Sequence, residues 1–407
     1  MADSAARGAV AAVFALNGLA FATWVSRIPE VRTLLDLTPG RLGTLLLALS
    51  AGAVLALPSS GAIVQRLGAA RMVAGGAVLN GIGLALAGTG AQVLGSVWLT
   101  AAGLFAMGVG SGSWDVAMNV EGAVVERRLG RTVMPRFHAA FSIGTVAGAA
   151  AGAASAALGV PVAVHLILGA ALAVVGPLVA VRAFLPAGTT HTDDNGDAAT
   201  HAARPRRHPL RAWTEPRTLA IGLMVLAAAL TEGTANDWLA VALVDGYDVH
   251  PAVGAAGFAA FVAAMTVGRV AGTGLLDRFG RVKVLWAGAA LAAAGALVTV
   301  FGGVLALALV GVLLWGLGAS LGFPVGMSAA ADEPEFAAAR VSVVSTVGYT
   351  AFLAGPPLLG YLGDHVGTLQ ALLVVAVLAG PSMLAIPAAR PPATTNSLTP
   401  CRPRSAN

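Results

Sequence analysis

The sequence predicts an all-α integral membrane protein of twelve transmembrane helices in two homologous halves, and three observations carry that prediction. First, 57% of the 407 residues are apolar and only 11% are charged, with a mean hydropathy of +0.81, which leaves too little polar surface for a soluble chain. Second, apolar runs of about 20 residues recur without the alternation of barrel strands, and a helix of that length crosses the hydrocarbon of a bilayer. Third, the cationic stretch G-R-V-A-G-T-G-L-L-D-R-F-G-R-V-K from Gly268 to Lys283 has an earlier copy, G-A-I-V-Q-R-L-G-A-A-R, from Gly61 to Arg71. Arg66, Gly68 and Arg71 match Arg278, Gly280 and Lys283 at a constant offset of 212, as two repeated halves require.

Twelve apolar runs fall at 8–26, 42–63, 72–92, 96–121, 137–158, 161–184, 218–243, 252–275, 283–302, 304–328, 341–362 and 368–389. Gly88 to Gly95, Gly159 to Pro161 and Gly302-Gly303 have to serve as turns within longer apolar stretches. The expected organisation is a six-helix unit over 1–184, a polar linker over 185–217, a second six-helix unit over 218–389 and a tail over 390–407 rich in Pro, Thr and Ser, expected to be disordered. Gly144, Gly148 and Gly152 make a small-residue face on the fifth helix for close packing. Gly355-Pro356-Pro357 is expected to break or bend the eleventh.

The halves also repeat elsewhere. Asn17 and Trp24 in the first helix correspond to Thr231 and Trp238 in the seventh, and Gly108-x-Gly110 corresponds to Gly316-x-Gly318. The match of the first segment to the seventh argues against a signal peptide over residues 8 to 22, despite the A-x-A at Ala20 to Ala22. With the N-terminus inside, all 24 Lys and Arg residues except Arg27, Arg32, Arg41 and Arg269 fall on the cytoplasmic side. That bias places both termini in the cytoplasm of a multi-pass protein of the inner (plasma) membrane.

Composition excludes several classes. The pI near 10.3 suggests a nucleic-acid partner, but the cations are dispersed over short connections and report topology instead, so no nucleic acid is expected. The single cysteine, Cys401, rules out a disulfide framework and a thiolate cluster. His191, His201 and His208 in the linker fit no ligand spacing, so neither metal nor cofactor is expected. No G-x-x-x-x-G-K-[ST] occurs, which removes ATP as the energy source in this chain.

The paired hairpins resemble the signature between helices 2 and 3, and between helices 8 and 9, of the major facilitator superfamily. Gln65 stands where the first copy usually has aspartate, which weakens the charge relay of that hairpin; Asp277 keeps it in the second. The resemblance implies two pseudo-symmetric six-helix bundles about an axis along the membrane normal, with the substrate site between them near the midplane. It also implies hairpin gating by Arg66, Gly68, Arg71, Asp277, Arg278, Gly280 and Arg281. The strings N-G-L-A-F-A-T-W-V-S-R-I-P at 17–29, F-H-A-A-F-S-I-G at 137–144 and G-Y-T-A-F-L-A-G-P-P-L-L-G at 348–360 are similar to a bacterial branch that includes fucose permease-like carriers. Drug-proton antiporters of the superfamily carry an arginine and a Gly-Pro where this chain has Leu104 and Ala149.

Ionisable groups within the hydrocarbon are costly unless they meet a partner or a wet cavity, so they mark candidate functional positions. Glu232, Asn236 and Asp237 lie in the seventh helix, in T-E-G-T-A-N-D-W. Glu232 sits about 21 Å from the cytoplasmic edge at 1.5 Å per residue, and Asn236 is expected one turn on, sharing its face. Asp115 and Asn119 lie one turn apart in the fourth helix, with His138 and Ser142 on the fifth as candidate partners. Asp115 with His138 is either a proton site or a structural hydrogen bond. Asn17 completes the expected substrate or proton pathway. Trp24, Arg27 and Trp238 form an expected outer gate, with Arg27 and Glu30 near Asp237 for pairing and Trp238 as an aromatic interface anchor. Arg269 is expected to snorkel to the cytoplasm or to pair with a loop acid, and His165 to be an interface residue.

These residues and the absence of a nucleotide fold point to a secondary active transporter working by rocking of its halves, proton-coupled, for a sugar-like or other small polar metabolite. A single chain in a lipid bilayer is expected to suffice. Efflux of a drug or metabolite by proton antiport shares the fold. From other classes, Gly110-Ser111-Gly112-Ser113 supplies an intramembrane serine without a companion histidine motif, and a non-transporting sensor lacks a signalling domain in the linker or tail.

Overall fold

The computed structural model describes residues 2–130, 133–185, 209–333 and 336–391. Most of the expected linker, with His191, His201 and His208, and the tail from residue 392, with Cys401, lie outside the described residues. The first half comprises α1 (Ala2–Val25), α2 (Pro39–Leu67), α3 (Ala69–Gln92), α4 (Val97–Leu129), α5 (Met134–Ala157) and α6 (Val162–Ala180). The second comprises α7 (Pro216–Tyr247), α8 (Pro251–Phe279), α9 (Arg281–Phe301), α10 (Leu305–Ala330), α11 (Ala337–Val366) and α12 (Thr368–Ala389). Among the described residues there is no strand.

Eleven of these segments are long and apolar enough to cross a membrane by composition alone. The twelfth is α4, whose 33 residues span the same depth but carry Ser111, Ser113, Asp115, Asn119 and Glu121. Those polar groups dilute its apolar character because they belong to an interior helix, packed against α2 and α3. Its glycines show how tightly: any Cβ at Gly108 would strike the Leu49 carbonyl of α2, and any at Gly103 or Gly110 would strike the backbone of α3.

Local chemistry starts and stops the helices where the sequence suggests. Thr38 and Ser96 cap α2 and α4 by accepting from the Arg41 and Leu99 amides, and prolines open α2, α5, α7 and α8. Gly159 and Gly303 turn with positive φ as expected, whereas α3 runs on to Gln92 and turns only at Gly95. The hairpin glycines Gly68 and Gly280 adopt φ of 85° and 79°, which only glycine takes readily. Of the break or bend expected at Gly355-Pro356-Pro357, the break does not occur: α11 runs continuously through both prolines.

The small-residue face of α5 receives α1: Gly144 and Gly148 lie against the Ala15 and Leu19 carbonyls, and Gly152 against Ser26. Between the halves, α5 meets α8 and α2 meets α11. One core spans both halves at a single end of the bundle, joining Trp24, Ile28, Leu42 and Leu46 to Trp238, Leu243, Leu359 and Leu369. At the other end, which holds Arg66, Arg71, Arg278, Arg281 and Lys283 and is called the basic end below, each half has its own core. Phe14, Val73, Trp114 and Phe137 fill one; Ile221, Val225, Leu285 and Val344 fill the other. The halves are closed together at one end and parted at the basic end.

Candidate functional site

The parting of the two cores leaves a cleft whose walls come from α4 and α5 on one side and α7, α8 and α11 on the other. On the first wall, Asp115 is accessible despite lying mid-helix, and Asn119, one turn on, donates to the Asp115 carbonyl at 2.8 Å and to its carboxylate at 3.4 Å. His138 is accessible on α5, its ring edge-on to the buried Phe14 at 5.2 Å. No hydrogen bond or ion pair joins Asp115 to His138; Ser142 instead donates to the His138 backbone carbonyl. Of the two readings of Asp115 with His138, the structural hydrogen bond between α4 and α5 is therefore not formed in this conformation.

On the second wall, Arg269 donates from its Nη2 to both carboxylate oxygens of Glu232, at 3.1 and 3.2 Å, and the pair is 31% and 22% exposed. Arg269 therefore neither snorkels to the interface nor pairs with a loop acid. Its stem is held by a further contact from Nε to the Ser320 carbonyl at 3.4 Å, which fixes the guanidinium at the depth of Glu232. The walls face each other electrostatically: Arg269 reaches His138, and Asp115 reaches Tyr349 of α11. Tyr349 was not a sequence candidate, although it lies in the G-Y-T-A string.

Beyond Glu232, α7 widens into a π-helical turn over Ala235–Leu239 that contains Asn236, Asp237 and Trp238. Such turns insert an extra residue and recur at functional sites. The insertion breaks the regular register, so Asn236 does not stack one α-turn above Glu232 as expected. Asn236 and Asp237 are half-buried. Asn17 is 6% exposed, with its amide nitrogen unpaired.

The closed end differs from expectation in three ways. Trp24 and Trp238 are fully buried in the shared core, so Trp238 is not an interface anchor. Arg27 does not pair with Asp237: it is itself 3% exposed, bonds the Val160 carbonyl at 2.8 Å and pairs with Glu30 at 3.0 Å, all within the first half. The contact between halves comes instead from Arg32, which pairs with Asp245 of α7, while Thr368 donates to the same carboxylate at 2.8 Å. His165 is buried rather than at an interface.

At the basic end, Arg281 pairs with Asp332 at 2.6 Å, and Arg217 shares that carboxylate at 2.9 Å. Asp277 is exposed and makes no hydrogen bond or ion pair among the described residues, so the relay expected of it is not formed in this conformation. Arg66, Arg71 and Arg278 are exposed, Arg278 lying over the Phe279 ring. Ser111 accepts from Asn80 at 2.6 Å, a structural tie between α3 and α4. Among the described residues, no cluster of His, Cys, Asp and Glu could hold a metal.

The model of the Major Facilitator Superfamily matches residues 10–276 and 221–403, which together span both halves. The chain belongs to the major facilitator superfamily. It is a multi-pass membrane protein of a transporter family and not an enzyme. An uncharacterized transporter of Sinorhizobium fredii is 33% identical over 360 residues, 87% of this chain and 90% of that one. In fold, the chain is similar to a bacterial homologue of the human lysosomal transporter Spinster, solved inward-facing, with a TM-score of 0.73 at 12% identity over 95% of this chain and 97% of that one. It is also similar to the Escherichia coli fucose:proton symporter FucP, at a TM-score of 0.58 and 17% identity over 94% of this chain and 98% of that one; FucP in its outward conformation scores 0.59. As a superfamily member the chain is a secondary transporter for a small molecule.

Proposed function

We propose that this transporter couples movement of a small polar or sugar-like solute to protons, with the cleft as its solute and proton site. The observation that carries the proposal is the Glu232–Arg269 pair on one wall of the cleft, set opposite His138 and Asp115, whose carboxylate has no cationic partner among the described residues, on the other. A carboxylate that alternates between holding Arg269 and holding a proton frees the guanidinium for solute in one state and recaptures it in the next. Asp115, Asn119 and Tyr349 supply acceptors and donors suited to hydroxyl groups. Asn17, Asn236 and Asp237 extend the pathway towards the closed end.

The basic end is then cytoplasmic in the inner membrane, by the distribution of its arginines, and the conformation is inward-open. The two halves are six-helix units over 1–184 and 218–389, joined by the linker over 185–217 and followed by the tail over 390–407. One chain supplies both walls, so a monomer suffices. The similarity to FucP supports a proton-driven polar solute, since that protein carries fucose with protons.

The test is accumulation of candidate sugars and polyols in proteoliposomes under an imposed pH gradient. Glu232→Gln with Asp115→Asn is expected to abolish gradient-driven accumulation while leaving exchange of solute across the membrane. Accumulation unchanged in the double variant removes the proton assignment.

A further inference from the structure

The second half also holds an opening of its own, apart from the cleft. A groove of about 550 Å³ lies within that half, bounded by α7, α8, α9, α10 and α12 and opening between α8 and α9. Its open rim is apolar and exposed, with Val267 at 60%, Leu275 at 42% and Phe279 at 49%. Of the hydroxyls that line it, Thr231 and Ser320 are satisfied by their own helices, on the Ala227 and Leu317 carbonyls, which leaves the buried Ser382. With so few polar groups in an otherwise apolar lining, it is poorly suited to a polar solute.

The first half shows why the groove exists. At the hairpin offset Gly76 corresponds to Gly288, and at the offset of the glycine pairs Gly110 corresponds to Gly318 and Trp114 to Gly322. Gly76 packs against the Gly110 carbonyl and the backbone and Cβ of Trp114, a residue fully buried in the core of the first half. Gly288 meets only the Gly318 carbonyl, and Gly322 lines the groove. The second half has a glycine where the first has this buried tryptophan.

The groove's mouth is cationic. Lys283 lines it at the basic end, exposed and without a hydrogen bond or ion pair among the described residues. Arg278 lies 5.2 Å above the ring of Phe279, which also lines it. From Phe279 to Val267 the wall of α8 runs about 18 Å at 1.5 Å per residue, close to half of a hydrocarbon core of about 30 Å.

We propose that this groove binds an anionic phospholipid of the surrounding bilayer, with one acyl chain along α8 and α9 and its phosphate between Lys283 and Arg278. Depth matches a single leaflet, the lining matches an acyl chain, and basic pockets between transmembrane helices are known to take anionic headgroups. The site is independent of the proposed solute and proton chemistry.

Native mass spectrometry of the purified full chain, titrated with phosphatidylglycerol or phosphatidylcholine, tests the assignment. The wild type is expected to retain phosphatidylglycerol in preference to phosphatidylcholine. Lys283→Gln and Arg278→Gln each weaken phosphatidylglycerol by about fivefold, from roughly 1 kcal/mol per surface cation, and leave phosphatidylcholine unchanged. Ala271→Phe with Ala287→Phe, which fills the rim at two exposed positions, weakens both lipids. Equal retention of the two lipids by the wild type overturns the proposal, as does undiminished phosphatidylglycerol binding in the filled or charge-neutralised variants. Occupation by detergent or free fatty acid in place of phospholipid overturns it too.

Discussion

The two ends of the bundle are built from the same repeated parts and sit in opposite states. At the closed end, Gly43 of α2 lies against the Pro356 carbonyl of α11 and Gly360 against the Pro39 carbonyl, so the helices of opposite halves touch backbone to backbone. One apolar core then continues across the divide, with Trp24 and Trp238 buried within it. At the basic end no shared core forms, and the ion pairs of Arg217, Arg281 and Arg340 with Asp332, Glu333 and Glu215 stay within the second half. The difference teaches that apolar contact between small residues does the closing, and that the polar contacts between halves adjust it. The largest disruption of the closed end should therefore come from adding volume.

Gly43→Val inserts a side chain where the Pro356 carbonyl now stands. Closure at that end is expected to fail, since packing and not a hydrophobic drive holds helices together in lipid. Solute accumulation should fall below a tenth of the wild-type level. A cysteine at Leu46, now 1% exposed, should become reactive to a membrane-impermeant thiol reagent. Full transport in this variant, with Leu46 still protected, would show that closure does not use the α2–α11 contact.

Much of this contrast was legible in the sequence and some was not. The repeated hairpin, with Arg66, Gly68 and Arg71 against Arg278, Gly280 and Lys283, announces two halves because it requires a left-handed glycine and cations at a fixed spacing. Asp115 and Glu232 were legible as site residues because hydrocarbon penalises them. The partner of Glu232 was not. Distance from the hairpin along α8 suggests that Arg269 snorkels, and only the packing of α8 on α7 shows the two charges at one depth. The π-helical turn was equally hidden, since A-N-D-W-L carries no signal for an inserted residue. Proximity along the membrane normal suggests Asp237 as the partner of Arg27, whereas the fold buries that arginine against Val160 and Glu30. Arg32 and Asp245 give no signal because both look like ordinary loop charges.

After backbone packing comes the ion pair of Arg32 with Asp245, which joins the halves at the closed end. Its partners are 22% and 32% exposed, so its worth lies near the ~0.2–1 kcal/mol of such pairs, a shift of up to about fivefold in a two-state equilibrium. Arg32→Ala should move the population towards an open state at that end by this amount, as read from spin-label distances between the halves. The exchange Arg32→Asp with Asp245→Arg should restore it. An unchanged distance distribution in Arg32→Ala would show that the pair has no part in closure.

The smallest effect concerns two carboxylates in matching places. Asp364 stands three residues before Gly367, whose φ of 91° and ψ of 151° repeat the hairpin geometry of Gly280 at 79° and 158°. Its carboxylate occupies the position a Cβ on Gly40 would take, in the first turn of α2, where a negative charge is favoured by about 0.3–1 kcal/mol. Asp277 stands three residues before Gly280, exposed and without a partner among the described residues, on the helix that meets α5 as α11 meets α2. Gln65 and Ala156, at the equivalent places before Gly68 and Gly159, carry no charge. Each end thus has one carboxylate available to it, and the one at the closed end is engaged. Asp364→Asn should favour opening of the closed end by about two- to fivefold. Asp277→Asn should favour the basic-end-open state by a similar factor, and the double variant should return near the wild-type distribution. A double variant that instead sums two shifts in the same direction would show that the carboxylates do not act at opposite ends of one equilibrium.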